Sequence, residues 1–188
     1  MPRRVRQLAT GRYYHLYNRG HNRQAIFFEP ENYGHFLRLF RHHVATQTVV
    51  VTAYCLMPNH YHFLVFLREP GLSRAMQRFV LAYTHGMNHR YGRSGTLFGG
   101  RFQTKWVDRD EYLLHLTRYI HLNPVRAGLV ERPEDWLFSS YQDYVGLRQG
   151  TLPRSAEVLA QVGGTAAYRQ FMTVMAEPQV SIQHLLLD

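Results

Sequence analysis

The chain has 188 residues, 45% of them hydrophobic, and carries 22 Lys+Arg against 13 Asp+Glu for a net charge of +9. That length suits one domain with a small appendage, and the apolar fraction excludes a disordered chain. No apolar run approaches the roughly 20 residues of a membrane helix, no long apolar stretch follows the basic N-terminus, and the single cysteine, Cys55, excludes an intrachain disulfide or a cysteine-based zinc site.

The expected setting is the cytoplasm. Lys105 is the only lysine, so the cations are nearly all arginine. Arginine grips phosphate bidentately and stacks on bases. Codon bias can favour arginine over lysine, but it does not create excess positive charge. A basic domain with 14% aromatic residues and 12 histidines suits a nucleic-acid partner.

Residues 1–12 carry Arg3, Arg4, Arg6 and Arg12, either a phosphate-tracking arm or a solvated terminus. Tyr13 to Asn18 reads as a first strand, ended by Arg19-Gly20. Over Glu29 to Val44, Tyr33, Phe36, Leu37, Phe40 and Val44 form one helical stripe, with Pro30 in the first turn, where proline is tolerated. Thr48 to Met57 is β-branched and apolar, a buried strand. Pro58-Asn59 is turn chemistry, and His60 to Phe66 reads as a returning antiparallel strand. Leu72, Ala75, Met76, Phe79, Tyr83 and Met87 mark a second long helix, stopping near Tyr91-Gly92. After Gly99-Gly100, Phe102, Thr104 and Trp106 alternate with Arg101, Gln103 and Lys105, a strand with one apolar and one basic face. Asp108 and Glu111 have capping-box spacing, opening a third helix that runs to about Asn123.

The order β-α-β-β-α-β predicts an α+β fold: a ferredoxin-like antiparallel sheet with both crossover helices on one face. Its central strands are the first and third, and the third helix is left the open face. Residues 1–145 form the expected main domain, and residues 146–188 a short helical extension with helices near Ser155 to Val162 and Thr165 to Ala176.

Two stretches carry candidate chemistry. In His60-Tyr61-His62 the alternation of a strand points both imidazoles one way and Tyr61 the other. Two imidazoles on a rigid strand make half of a metal site, or are ordinary half-buried strand histidines. On the third helix His115, Tyr119 and Asn123 are four apart and form a polar ridge beside the apolar ridge of Leu113, Leu116 and Ile120. Docking through the apolar ridge would bring Tyr119 and Asn123 toward the histidines. Imidazole nitrogens plus an amide oxygen suit a hard divalent cation with positions left for phosphate oxygens. Tyr119 is then a candidate nucleophile, or else a core aromatic.

These residues carry a resemblance. His60-Tyr61-His62 is similar to the His-hydrophobic-His motif of the single-tyrosine (HUH) transposases, and Tyr119 to Gly128 resembles their nucleophile helix. Insertion-sequence members usually have Gln four residues after the tyrosine. Asn123 departs from that and resembles the branch called REP-associated tyrosine transposases, as do Gly99-Gly100-Arg101-Phe102, Pro133-Glu134-Asp135-Trp136 and Ser139-Ser140-Tyr141. The match runs over about residues 13–145.

The resemblance implies that His60, His62 and Asn123 hold Mg²⁺ or Mn²⁺, and that Tyr119 attacks the scissile phosphate of single-stranded DNA to leave a 5′-phosphotyrosine and a free 3′-OH. The implied substrates are DNA hairpins from repetitive extragenic palindromes, handled by a monomer or homodimer. A phenol ionises near pH 10, so it needs help; the cation comes first, with His115 or His121 as weaker candidates. Arg12, Arg19, Arg101 and Lys105, with the N-terminal arginines, are the expected phosphate contacts. The rival readings are a non-catalytic DNA- or RNA-hairpin-binding module on the same fold and, last, a His-based metallohydrolase.

Overall fold

The computed structural model describes residues 8–173 and 182–186. Four strands form one antiparallel sheet: β1 (Arg12–Arg19), β2 (Val49–Met57), β3 (His60–Leu67) and β4 (Gln103–Val107), in the order β2-β3-β1-β4. Helices α1 (Pro30–Phe40) and α2 (Leu72–Arg90) are the crossovers. This is the expected ferredoxin-like arrangement, with β1 and β3 at the centre.

The sheet is covered on both faces, which explains why β2 and β3 read as nearly unbroken apolar runs. One face bears Leu16, Leu56, Tyr61, Phe63 and Val65 against Phe36 and Phe40 of α1 and Phe79 and Tyr83 of α2. Phe40 stacks on Phe63 with ring centroids 4.0 Å apart. Each such fully buried side chain contributes roughly 1.5–3 kcal/mol by leaving water. The other face bears Ala53, Cys55, Met57 and Leu64, covered by the third long helix, α3 (Asp110–Arg126), through Leu113, Leu116 and Ile120. The apolar ridge expected of this helix is the one that docks.

Local chemistry sets the boundaries. At the start of α1 the Asn32 Oδ1 accepts hydrogen bonds from the backbone of Phe28 (2.8 Å) and Glu29 (3.1 Å), and Pro30 occupies the first turn. The expected single helix to Val44 instead ends at Phe40 and passes into a π-helical turn, Arg41–Ala45. The expected capping box at Asp108 does not form: Arg109 is the N-cap residue, without a side-chain cap bond, and its guanidinium pairs with Glu111 at 3.4 Å.

Beyond α3 the chain closes the outer edge of β2. Phe138 O accepts from Leu56 N (2.9 Å), and Ser140 N donates to Tyr54 O (3.0 Å). Trp136 Nε1 donates to Leu56 O (3.0 Å). The Pro133-Trp136 and Ser139-Tyr141 motifs thus cover a strand edge that would otherwise present unpaired backbone groups. Three short helices follow: α4 (Tyr141–Tyr144), α5 (Ala156–Val162) and α6 (Thr165–Thr173). Val158, Tyr168, Met172, Ile182 and Leu185 join the α3-side core. Among the described residues no helix is long and apolar enough to cross a membrane.

Candidate active site on the α3 face of the sheet

The two-residue connection Pro58-Asn59 pairs Met57 with His60 and so fixes the register of β3. His62 lies opposite Tyr17 of β1, and His60 opposite Arg19. His60 and His62 accordingly share the face that α3 covers, with ring centroids 4.9 Å apart, while Tyr61 is buried among the aromatic residues of the other face. On α3, the half-buried Tyr119 meets His62 edge-on at 5.7 Å between centroids. Asn123, one turn on, stands beside His60, placed to accept a hydrogen bond when that ring is protonated. The structure brings together the four residues singled out in the sequence.

Their electrostatics follow from burial. Desolvation, aided by the Arg19 charge and opposed by the Asn123 hydrogen bond, pushes the His60 imidazole down to about 4. His62, fully buried, is held well below the usual histidine range by desolvation, then by His15, His60 and Arg19. Both rings are neutral near pH 7 and carry one lone pair each.

The hydrogen bonds say where those lone pairs point. Asn59 Nδ2 donates to Arg23 O (3.0 Å), so its carbonyl end faces His60, whose Nδ1 lies 2.6 Å away and must donate. That leaves the His60 Nε2 as a bare acceptor facing Asn123. Asn123 Nδ2 donates to Tyr119 O (3.1 Å), which leaves Oδ1 as the free end of that carboxamide. The Nε2 of His62 is buried with no hydrogen-bond partner. Two imidazole nitrogens and one amide oxygen, all lone pairs without protons to share, fit a divalent cation that retains positions for phosphate oxygens. Among the described residues no group of three or more His, Cys, Asp or Glu side chains could hold a metal ion, so a closed site of the structural-zinc kind is not assembled.

The other candidates divide. His115 leaves the ridge and packs its ring against Phe171, centroids 5.7 Å apart. His121 points away from Tyr119 into the core, bonded to Tyr168 OH and Ser140 Oγ, each at 2.8 Å. Arg19 is half-buried beside the histidines. Arg12 is exposed with its guanidinium 4.3 Å from the centre of the exposed Trp106 ring, and Arg101 is exposed at the approach to β4. Lys105 donates to Leu186 O (2.6 Å). Arg3, Arg4 and Arg6 lie outside the described residues. Three neighbours were not anticipated. His15 lies behind His62, Tyr17 lies beside it at 6.4 Å between centroids, and Arg126 sets its guanidinium 5.4 Å from the centre of the Tyr119 ring. Arg126 is seven residues beyond Tyr119, a helical spacing visible in the sequence.

Gly20 and the Gly99-Gly100 segment hold the strand ends beside the site. A Cβ on Gly20 would stand 2.0 Å from the Gln24 carbonyl oxygen, so only glycine lets the chain fold back there. Gly99 N donates to Arg19 O (3.0 Å), and Asn18 Nδ2 to Gly100 O (3.1 Å), tying the segment before β4 to the end of β1 that carries Arg19.

Comparison with known proteins agrees with this geometry. Residues 9–123 match the family model described as "Transposase IS200 like". A Haemophilus influenzae protein assigned to the REP-associated tyrosine transposases is 28% identical over 110 residues, 53% of this chain and 61% of that relative. The match thus spans under two thirds of the relative's length. A solved REP-associated tyrosine transposase bound to a REP hairpin is similar in fold, with a TM-score of 0.64 and 19% identity over 84% of this chain and 93% of that one. The family match covers the whole ferredoxin-like sheet and reaches Asn123, so it takes in His60, His62, Tyr119 and Asn123, and the chain belongs to the IS200-like transposases.

Proposed function

We propose that the protein is a metal-dependent single-stranded DNA endonuclease and strand transferase that acts on hairpin DNA of the REP type through a 5′-phosphotyrosine intermediate. The observation that carries this reading is the approach of Tyr119 to His62, with Asn123 beside His60 and the His62 Nε2 buried without a hydrogen-bond partner. A divalent cation on His60, His62 and Asn123 would polarise the scissile phosphate and offset the charge that grows in the transition state.

The chain's own residues supply the rest. The Tyr119 oxygen attacks phosphorus, an O–P bond forms to the tyrosine, and the P–O3′ bond breaks. The phenolic proton goes to solvent, and the leaving 3′-oxygen takes up a proton to become a 3′-OH. The phosphodiester is exchanged for another phosphate ester, so rejoining requires no nucleotide cofactor. Arg126 sits over the Tyr119 ring, a cation–π contact that helps hold the ring in place. Arg19 is suited to a phosphate next to the scissile one, and the Arg12–Trp106 pair to a stacked base or a backbone phosphate. The hairpin-bound relative supports hairpin DNA as the substrate class.

The test is a denaturing gel of labelled single-stranded hairpins incubated with the protein in Mn²⁺, Mg²⁺ or EDTA. The expected result is a covalent adduct that needs the cation and vanishes in Tyr119→Phe, while hairpin binding survives. An adduct of equal yield from that variant would remove Tyr119 from the role. Hairpin binding without any adduct, indifferent to cation and to Tyr119→Phe, would favour a non-catalytic binding module.

A further inference from the structure

Behind His62 a second histidine continues the chain of hydrogen bonds. The His15 Nε2 lies 2.9 Å from the His62 Nδ1, and the His15 Nδ1 bonds the carbonyl oxygen of Leu185 in the C-terminal turn Gln183–Leu185. His15 and His62 are stacked, centroids 5.2 Å apart with 16° between planes, and neither is exposed. A carbonyl oxygen only accepts, so the His15 proton sits on Nδ1. A neutral imidazole has one N–H, so the His15 Nε2 must accept, and the His62 Nδ1 must donate to it. The His62 Nε2 is then the bare atom, buried without a hydrogen-bond partner.

The reverse sense fails twice. It would set two lone pairs against each other between His15 and Leu185. It would also leave an N–H at the His62 Nε2 buried with no acceptor. Both rings are fully buried and no carboxylate among the described residues is hydrogen-bonded to either, so each is the neutral imidazole.

Resting on the metal reading above, we propose that His15 is a positioning residue that locks His62 in its Nδ1–H tautomer and so presents Nε2 as the ligand atom, with the C-terminal turn setting the sense of the relay through Leu185. Partners of this kind, one bond behind a ligand, typically change metal affinity about 10- to 100-fold when removed. The distant end of the chain thereby acts on the ligand's protonation geometry without touching the cation.

Two measurements on the full-length protein decide it. In the metal-free protein with ¹⁵N-labelled histidine, NMR is expected to show His62 protonated on Nδ1 and bare on Nε2. In calorimetric titration with Mn²⁺, His15→Phe is expected to bind about 10- to 100-fold more weakly than wild type. His15→Gln, whose carboxamide oxygen reaches the position of the imidazole Nε2, is expected to recover most of that loss, which a general packing defect would not allow. A His62 Nε2–H tautomer in wild type, or undiminished affinity in a folded His15→Phe protein, overturns the relay. If His15→Phe does not fold, the wild-type spectrum still decides. A wild-type protein that binds neither Mn²⁺ nor Mg²⁺ would overturn the metal reading itself and, with it, the ligand role given to the His62 Nε2.

Discussion

His121 shows how much one helical step matters. It is two residues from Tyr119, about 200° further round the helix, and its ring faces the opposite way. Its nitrogens are both taken, by Tyr168 OH and Ser140 Oγ, and desolvation pushes it down to about 3. It therefore serves packing rather than proton transfer at Tyr119. Replacing it with phenylalanine keeps the bulk but strands the buried Tyr168 hydroxyl. We expect a loss of about 1–3 kcal/mol in urea unfolding and unchanged adduct formation by the protein that remains folded. A drop in adduct yield without loss of stability would contradict this division. At this scale the strand pair was readable because alternation is strict: His60 and His62 had to share a face. His15 was not readable. One histidine in a tyrosine-rich strand has no informative spacing, and its meeting with His62 depends on the β1–β3 register.

At the scale of elements, α3 carries half of the site, so its seat on the sheet governs the geometry. Leu116 is fully buried one turn before Ile120 and packs among Ala53, Cys55 and Leu64. Leu116→Ala removes three heavy atoms from that contact and is expected to cost about 2–5 kcal/mol. Because Tyr119 and Asn123 ride on the same helix, adduct formation should also slow at temperatures where the variant is still folded by circular dichroism. Normal adduct kinetics in a destabilised Leu116→Ala protein would show that the site does not depend on this seat. The apolar ridge of α3 was plain from its period, as were the buried faces of α1 and α2. Helix ends were less so. The third helix, expected to end at about Asn123, runs on through Pro124 to Arg126. A proline that removes one N–H near a helix end can be accommodated when other bonds close the turn, and here Leu129 N donates to Pro124 O at 2.9 Å. The bonds from residues 136–140 to β2, by contrast, had no periodic signal, because irregular segments that cap an edge follow the geometry of that edge.

For the whole molecule, the number of neutral buried histidines predicts how stability changes with pH. His15, His62 and His121 are wholly buried, and desolvation lowers all three: to about 4 for His15, to about 3 for His121, and well below the usual value for His62. In the unfolded chain each takes up a proton near pH 6.5. Below that pH the unfolded state binds protons that the folded state excludes, so acid favours unfolding. Their contribution is complete above pH 6.5 and is lost as pH falls toward 4 and then 3. Each ring changes stability by about 1.4 kcal/mol per pH unit within its window, so three give roughly 4 kcal/mol per unit against a total that is typically 5–15 kcal/mol. His60, also pushed down to about 4, adds a fourth contribution of similar size. The metal-free protein is therefore expected to have a flat urea midpoint from pH 8 to 7 and a steep decline from pH 6 to 5. His121→Phe should start lower and decline about one quarter less steeply, because one of the four excluded protons is gone. A midpoint that holds level down to pH 5 would mean that these rings accept protons in the folded state, and the neutral lone pairs on which the site's chemistry rests would be lost with it.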